Sequence, residues 1–299
     1  MQKGMMIDGR YRVLCPLGSG GEGELVVAFD EERKRKVAVK LQHPRFFEST
    51  TSYSLIGQNL VIEAKIGQSF TDVRGIPVVY DHGRHLGRRY FVMELIDGCT
   101  LRDFILTYRP LKSQVAVAVI AQLCDILGVI HDRHFVHRDV KPENIIITLR
   151  GEVLLLDLGI AVVAESEITS GDVFGTPGYA PYEQIRGSSV TARTDIYALG
   201  CLLCEMVTMR LPFAQEQEWN IGKQEYPVSP ELVATLPVGL RDLVVSMVSR
   251  DPSVRPASTT EIVDRLAHLL PIPGSPSDPK APRPDPTAWF RDRSRPSDG

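Results

Sequence analysis

The sequence predicts an α+β fold in which a strand-rich, antiparallel first part is followed by a larger, mainly helical part. Three observations carry this expectation. Between Tyr11 and Glu94, short runs of β-branched and aromatic residues are separated by Gly or charged turns. After Gly98, apolar residues recur at helical spacing in runs too long for strands. From Pro271 onward eight prolines fall in 29 residues, a composition that can neither continue a helix nor build a core.

The strands are predicted at Tyr11 to Leu17, Glu24 to Asp30, Arg35 to Leu41, Ile76 to Asp81 and Arg89 to Glu94. One helix interrupts them: Leu55, Ile56, Leu60, Ile62, Ile66 and Phe70 recur at roughly helical spacing, which places a helix over Ser54 to Ser69 with Glu63 near its middle. The polar stretch from Glu48 to Ser54 reads as a loop. In the second part Ser113 is the expected N-cap of the long apolar run Val115 to Ile130. Two short strands, Ile145 to Thr148 and Val153 to Leu156, are joined by a turn containing Gly151. Further helices are expected at Arg193 to Met209, Pro237 to Ser249 and Ser258 to Leu270. Residues 271–299 are expected to be an extended or disordered tail, acting as a plain linker or as a Pro-rich ligand for an aromatic groove.

Composition narrows the function. The 299 residues carry 34 Lys and Arg against 37 Asp and Glu, with no dense basic tract, which argues against nucleic acid as the main partner. The N-terminus lacks the apolar segment and small-residue cleavage site of a secretory signal, and no segment is expected to span a membrane, so a soluble, cytoplasmic chain is expected. Five cysteines, an odd number, disfavour a disulfide framework. Cys201 and Cys204 lie in an apolar helical run with no second pair nearby, and are expected to be small core residues.

Chemistry concentrates in Phe135-Val-His-Arg-Asp-Val-Lys-Pro-Glu-Asn144. Asp139 is suited to accept a hydroxyl proton, Lys141 to neutralise a transferred phosphate and Asn144 to hold a divalent cation, the tasks that phosphoryl transfer requires. Gly18-Ser-Gly-Gly-Glu-Gly23 has glycine spacing that lets backbone amides approach phosphates. The next residues, Leu25 to Phe29, read as a returning strand; a dinucleotide fold would place a helix there, and a hairpin suits a phosphate-covering flap better. His131, His134 and His137 recur every three residues, but a helix ending at His131 would splay the rings, and a metal site is not expected.

Gly18 to Leu25, Val37-Ala-Val-Lys40, the His137 loop and Asp157-Leu-Gly159 occur in the order in which they occur in the protein kinase superfamily, and the chain resembles its bacterial serine/threonine members of the eukaryotic (Hanks) type over about residues 10–270. The resemblance implies a bilobal fold, with a small antiparallel-sheet N-lobe with one helix (about 10–96) and a larger, mainly helical C-lobe (about 97–270). It implies an ATP-dependent serine/threonine protein kinase using Mg²⁺ or Mn²⁺, with Asp139 as base beside Lys141, Lys40 on the phosphates paired with Glu63, and Asn144 and Asp157 as metal ligands. The nucleotide would be held by Leu17, Gly18, Gly20, Gly21, Gly23, Leu25, Ala38, Lys40 and Ile146, with Met93 at the back of the pocket and Glu94 to Ile96 as the hinge. By the same resemblance, Asp157 to Glu183 is an activation segment whose hydroxyls Ser166, Thr169, Ser170 and Thr176 are candidates for autophosphorylation, with Arg138 ready to pair a phosphate. Gly175 to Tyr179 would dock the protein substrate, Lys141 with Thr176 favours Ser/Thr acceptors, Asp195 would brace the catalytic loop, and Arg255 would pair with Glu183.

The chain departs from the family pattern at Leu158, where Phe is usual, at Pro181-Tyr-Glu183, and at Gly67, where the family generally places an apolar side chain. Gly67 predicts a weaker active arrangement, with low or partner-dependent activity. The alternative reading is a kinase-like, nucleotide-binding scaffold; a small-molecule phosphotransferase is disfavoured by Gly175-Thr-Pro, Lys141 and the Glu183 and Arg255 pair. Regulation is expected from partners or from the tail, with a homodimer and a binder of the Pro-rich tail among the candidate partners.

Overall fold

Period-two alternation decides what each strand does. The computed structural model describes residues 1–19, 23–42, 64–157, 162–163, 175–213 and 228–292. The chain divides into two units, one formed by Met1–Ile96 with Asp157–Gly159, the other by Asp97–Leu156 with Ile160–Gly299. In the first unit, β1 (Met6–Ile7), β2 (Tyr11–Ser19), β3 (Gly23–Asp30), β4 (Arg35–Gln42), β5 (Val79–His85) and β6 (Arg88–Glu94) form an antiparallel sheet of order β1-β2-β3-β4-β6-β5. Along β4, Val37, Val39 and Leu41 turn to one face and join Tyr11, Val13, Val26, Ala28, Tyr90 and Val92 in a buried cluster. Each such side chain removed from water contributes about 1.5–3 kcal/mol. Ala38 and Lys40 therefore take the opposite face.

The hairpin from β3 to β4 is closed by Asp30. Its carboxylate accepts from Arg10 Nε at 2.9 Å and Nη2 at 2.8 Å, and from the backbone amides of Glu32 and Arg33 in the turn. These hydrogen bonds, the Arg10 pair first, hold its carboxyl at about 2, below the ordinary 3.8. At the other end of the hairpin, a Cβ on Gly23 would collide with the Leu41 carbonyl oxygen, so only glycine lets β3 and β4 approach there.

Residues 64–69 form the described part of α1; the rest of the predicted Ser54 to Ser69 helix, including Glu63, lies outside the described residues. Ala64 packs on Phe91, with Val79 and Met93 beside them. A packing reason for glycine at 67 is visible here. A Cβ there would sit 2.5 Å from Val79 Cγ2, so a neighbouring strand's side chain fills the space and the glycine is a close-packing residue.

In the second unit, β7 (Gly98–Thr100) leads into α2 (Leu101–Tyr108), whose N-cap Thr100 accepts from the Asp103 amide. The central helix α3 (Ser113–Asp132) starts one residue earlier than expected, with Lys112 as N-cap and no side-chain cap, so Ser113 is its first helical residue. By length and apolarity this 20-residue helix meets the criteria for a membrane span, contrary to the sequence expectation, but 72% of its most apolar stretch is buried within the fold. It packs on α5 (Ala192–Thr208) and α8 (Thr259–Leu266), and α5 packs on α7 (Arg241–Met247). Thr191 and Thr194 form a capping box at the start of α5. The predicted helix at Pro237 to Ser249 is a 3₁₀ turn, Val238–Leu240, followed by α7. Cys201 and Cys204 are buried free thiols of α5, and burial pushes Cys204 up to about 11.

Strands β9 (Ile145–Thr148) and β10 (Val153–Leu155) form the expected hairpin, extended by β7 into a sheet of order β10-β9-β7. Two-residue strands β8 (Phe135–Val136) and β11 (Val162–Val163) pair with each other. Helices α4 (Tyr182–Ile185) and α6 (Pro230–Thr235) complete the order up to the last segment. There the expectation of a free tail is not met over 271–292. Trp289 and Phe290, both in α9 (Ala288–Arg291), pack with Ala118 and Ala121 of α3. Asp278 pairs with Lys112 at 2.6 Å, Tyr108 exchanges hydrogen bonds with the Arg283 backbone, and Gln122 Nε2 donates to the Pro286 carbonyl at 3.1 Å. Proline content correctly excluded a long helix, but two aromatic side chains supply the apolar area that docks the segment.

Candidate active site

Each unit carries its own set of candidate residues. In the first, strand register places Leu25 and Phe91 opposite Lys40, and Val27 and Met93 opposite Ala38, so Leu25, Ala38, Lys40 and Met93 share one face of the sheet. Lys40 Nζ lies 3.3 Å from Asp157 Oδ2 and 5.8 Å from the centre of the Phe91 ring. Asp157 has φ of 60°, a left-handed backbone that costs a non-glycine residue about 1–2 kcal/mol. Leu17 and Gly18 are exposed at the end of β2, and Glu94 and Ile96 are half-buried. Gly20, Gly21, Glu63 and Leu158 lie outside the described residues, and with them the expected Lys40–Glu63 pair.

The second set is built on the loop between β8 and β9. Its foundation is Asp195 near the start of α5, 1% exposed. Asp195 accepts from the backbone amides of His137 at 2.9 Å and Arg138 at 2.8 Å, and its Oδ2 lies 2.8 Å from His131 Nε2. Burial alone would raise its carboxyl, but the His131 hydrogen bond and the charges around it outweigh burial and hold it below the ordinary range. His137 is fully buried, with Nε2 3.0 Å from the Leu156 carbonyl oxygen, a supporting role; His134 is exposed, so the three histidines do not converge. Arg138, at φ 67°, is buried, and burial lowers it to about 10 against the opposing charge of Asp195.

On this foundation Asp139 is met from three directions. Lys141 Nζ is 2.6 Å from its Oδ2, Asn144 Nδ2 donates to the same oxygen at 2.9 Å, and the Thr176 hydroxyl donates to Oδ1 at 2.7 Å. Lys141 also donates to Thr176 Oγ1 at 2.8 Å. The carboxylate thus accepts a hydroxyl hydrogen bond on one oxygen while the other is held by an ammonium and an amide. Ile146 lies beyond it in β9, half-buried. Further along, Arg255 makes the expected pair with Glu183, Nη1 to Oε1 at 2.6 Å and Nη2 to Oε2 at 3.0 Å. Ser166, Thr169 and Ser170 lie outside the described residues.

Sequence reasoning missed one cluster. Arg102, the second residue of α2, donates through Nε to Glu143 at 2.7 Å, through Nη1 to Glu205 at 2.5 Å and through Nη2 to the Tyr179 hydroxyl at 3.0 Å, and Tyr179 in turn donates to Glu205. The one sequence signal was Glu143 inside the catalytic loop. Its partners are too far away in the chain for spacing to reveal.

A lysine facing an aspartate in one unit, and in the other an Asp–Lys–Asn loop that holds a hydroxyl, define a class of phosphotransferase. Residues 11–266 match the protein kinase domain family, and the chain belongs to that family, in the bacterial serine/threonine branch of the eukaryotic (Hanks) type. It is 35% identical over 277 residues to serine/threonine-protein kinase pkn2 of Myxococcus xanthus, covering 88% of this chain and 33% of that protein. It is 30% identical to PknL of Mycobacterium tuberculosis, covering 90% of this chain and 68% of the relative, and 31% identical to PrkC of Bacillus subtilis, covering 83% and 39%. The chain thus spans about a third of pkn2 and two fifths of PrkC. Membership implies the use of ATP and a divalent metal ion.

Proposed function

We propose that this domain transfers the γ-phosphoryl group of ATP to Ser and Thr hydroxyls of proteins, with Asp139 receiving the acceptor proton. The observation that carries the reading is the hydroxyl of Thr176 donating to Asp139 Oδ1 at 2.7 Å while Lys141 and Asn144 hold Oδ2. An acceptor hydroxyl arriving at this carboxylate meets a base already oriented, and Lys141 beside it offsets charge on the transferred group. Lys40 would hold the α- and β-phosphates, on a sheet face whose Leu25, Ala38 and Met93 offer apolar contact to the purine. Each unit offers an oxygen ligand of the kind a small hard cation, Mg²⁺ or Mn²⁺, would take: in one, the amide of Asn144 turns its nitrogen to Asp139, leaving its oxygen, and in the other Asp157 has a carboxylate. Bound there, the cation neutralises charge on the phosphates. Autophosphorylation of the segment from Asp157 to Glu183 is part of the same reading.

The test is transfer of labelled phosphate from ATP with Mg²⁺ to the protein itself and to generic protein acceptors, with mass spectrometry locating the label. Asp139→Asn should reduce transfer by about 10²–10⁴-fold, the usual contribution of a general base, while retaining nucleotide binding. Nucleotide binding with no transfer by the parent would favour the scaffold reading.

A further inference from the structure

The Arg102 cluster lies next to the acceptor machinery, and phosphoryl transfer to a single hydroxyl gives it no task. Glu143 stands between Lys141 and Asn144, the two side chains that hold Asp139. Tyr179 and Ala180 donate their backbone amides to the Thr176 carbonyl at 3.1 Å, so one tight turn separates the Tyr179 ring from the hydroxyl on Asp139. Glu205, from α5, completes a pair of carboxylates beside the place where an acceptor segment must lie. Between these carboxylates sits the guanidinium of Arg102. Burial disfavours its charge, but hydrogen bonds to Glu205 and Glu143 reverse this and raise it above the ordinary arginine value. The cluster is closed at Glu205, 12% exposed, and open to solvent at Glu143, 48% exposed.

We propose that Arg102 is a specificity-determining residue: its guanidinium fills an anionic recess beside the acceptor hydroxyl, so that this kinase does not require, or gain from, an arginine in the acceptor peptide. The proposal rests on the protein kinase reading above and deepens it by naming the acceptor class. Glu143, Glu205 and Tyr179 offer two carboxylates and a phenol oxygen to one planar, five-donor cation. While Arg102 fills the recess, a second guanidinium would meet a like charge and find its acceptors taken. Without Arg102, the two carboxylates would face the peptide with nothing between them.

The experiment uses the full chain and pairs of Ser peptides that differ only in Arg or norleucine at one position flanking the acceptor. The parent should show similar kcat/KM for both members of each pair. Arg102→Ala should favour the Arg member at one position by roughly tenfold or more, through KM, the scale of a new charge-assisted pair. Glu143→Gln added to Arg102→Ala should erase that gain, and Arg102→Lys should restore the parental ratio. A residue that only held the fold would change both members of a pair alike. An unchanged ratio in an active Arg102→Ala protein overturns the proposal. So does a parent that already prefers the Arg peptide by about tenfold and loses that preference in Glu143→Gln, a comparison that holds even where Arg102→Ala fails to fold. A parent that transfers to no protein or peptide at all sinks the kinase reading itself and this inference with it.

Discussion

The two candidate sets are built to different standards of support. In the second unit Asp139 has three side-chain partners within 2.9 Å, and the loop that carries it hangs from Asp195 by two backbone amides. In the first, the contact joining Lys40 to Asp157 spans 3.3 Å between side chains that are 14% and 28% exposed. The acceptor side is held by several side-chain hydrogen bonds above the buried Asp195, whereas Lys40 is placed by its position in the register of β4. A base must be aimed within a few tenths of an ångström, which takes several partners. A lysine that meets phosphates needs above all its position along a strand.

The difference can be broken by removing one support from each unit. Asp195→Ala leaves the amides of His137 and Arg138 buried without acceptors and should cost about 3–5 kcal/mol in urea unfolding, together with most of the transfer activity. Lys40→Met should cost at most about 1 kcal/mol in the same measurement, because a partly exposed ion pair contributes little to stability, although transfer should fail. Comparable stability losses in the two variants would erase the distinction drawn between the units.

The packing at Gly67 sharpens the picture of the first unit. Gly67→Ala gains about 1 kcal/mol of helix propensity. The new Cβ meets Val79 Cγ2 at 2.5 Å, and overpacking of this kind costs about 1–3 kcal/mol, so a net loss near 1 kcal/mol is expected. Val79→Ala in the same chain should recover the loss, a coupling that a double-mutant cycle reads directly. Stabilisation by Gly67→Ala alone would show that Val79 does not fill the space.

A further expectation concerns acid. Asp30 is held at about 2 in the fold against an ordinary 3.8, so its stabilising contribution is present above the ordinary value and is lost as pH falls through the lower one. Thermal unfolding should therefore show a steeper acid limb between about pH 4 and pH 2 in the parent than in Asp30→Asn. Identical limbs would remove the Arg10–Asp30 pair from the account of the hairpin.

Much of the site was legible because its signals are local. The alternation Val37-Ala38-Val39-Lys40 says which side chains share the face with Lys40 before any partner strand is known. The Asp139, Lys141 and Asn144 spacing keeps three polar groups in one turn of chain. The Arg102 cluster was not legible, since its partners lie 41, 77 and 103 residues away and meet only when α2, the Asp139–Asn144 loop, the Thr176–Tyr179 turn and α5 are assembled. The docked end was hidden for another reason: eight prolines describe the backbone of 271–299, whereas the docking energy resides in Trp289 and Phe290.

The sequence by itself determined the strand faces, the spacing of the glycines from Gly18 to Gly23, the order of the motifs and the grouping of Asp139, Lys141 and Asn144, all consequences of residues near one another in the chain. Tertiary structure alone decided that Val79 fills the space above Gly67, that Asp195 carries the catalytic loop, that the chain end lies on α3 and that Arg102 sits between two carboxylates. Packing and buried charge depend on which distant surfaces come within a few ångströms of each other, and no local period encodes that.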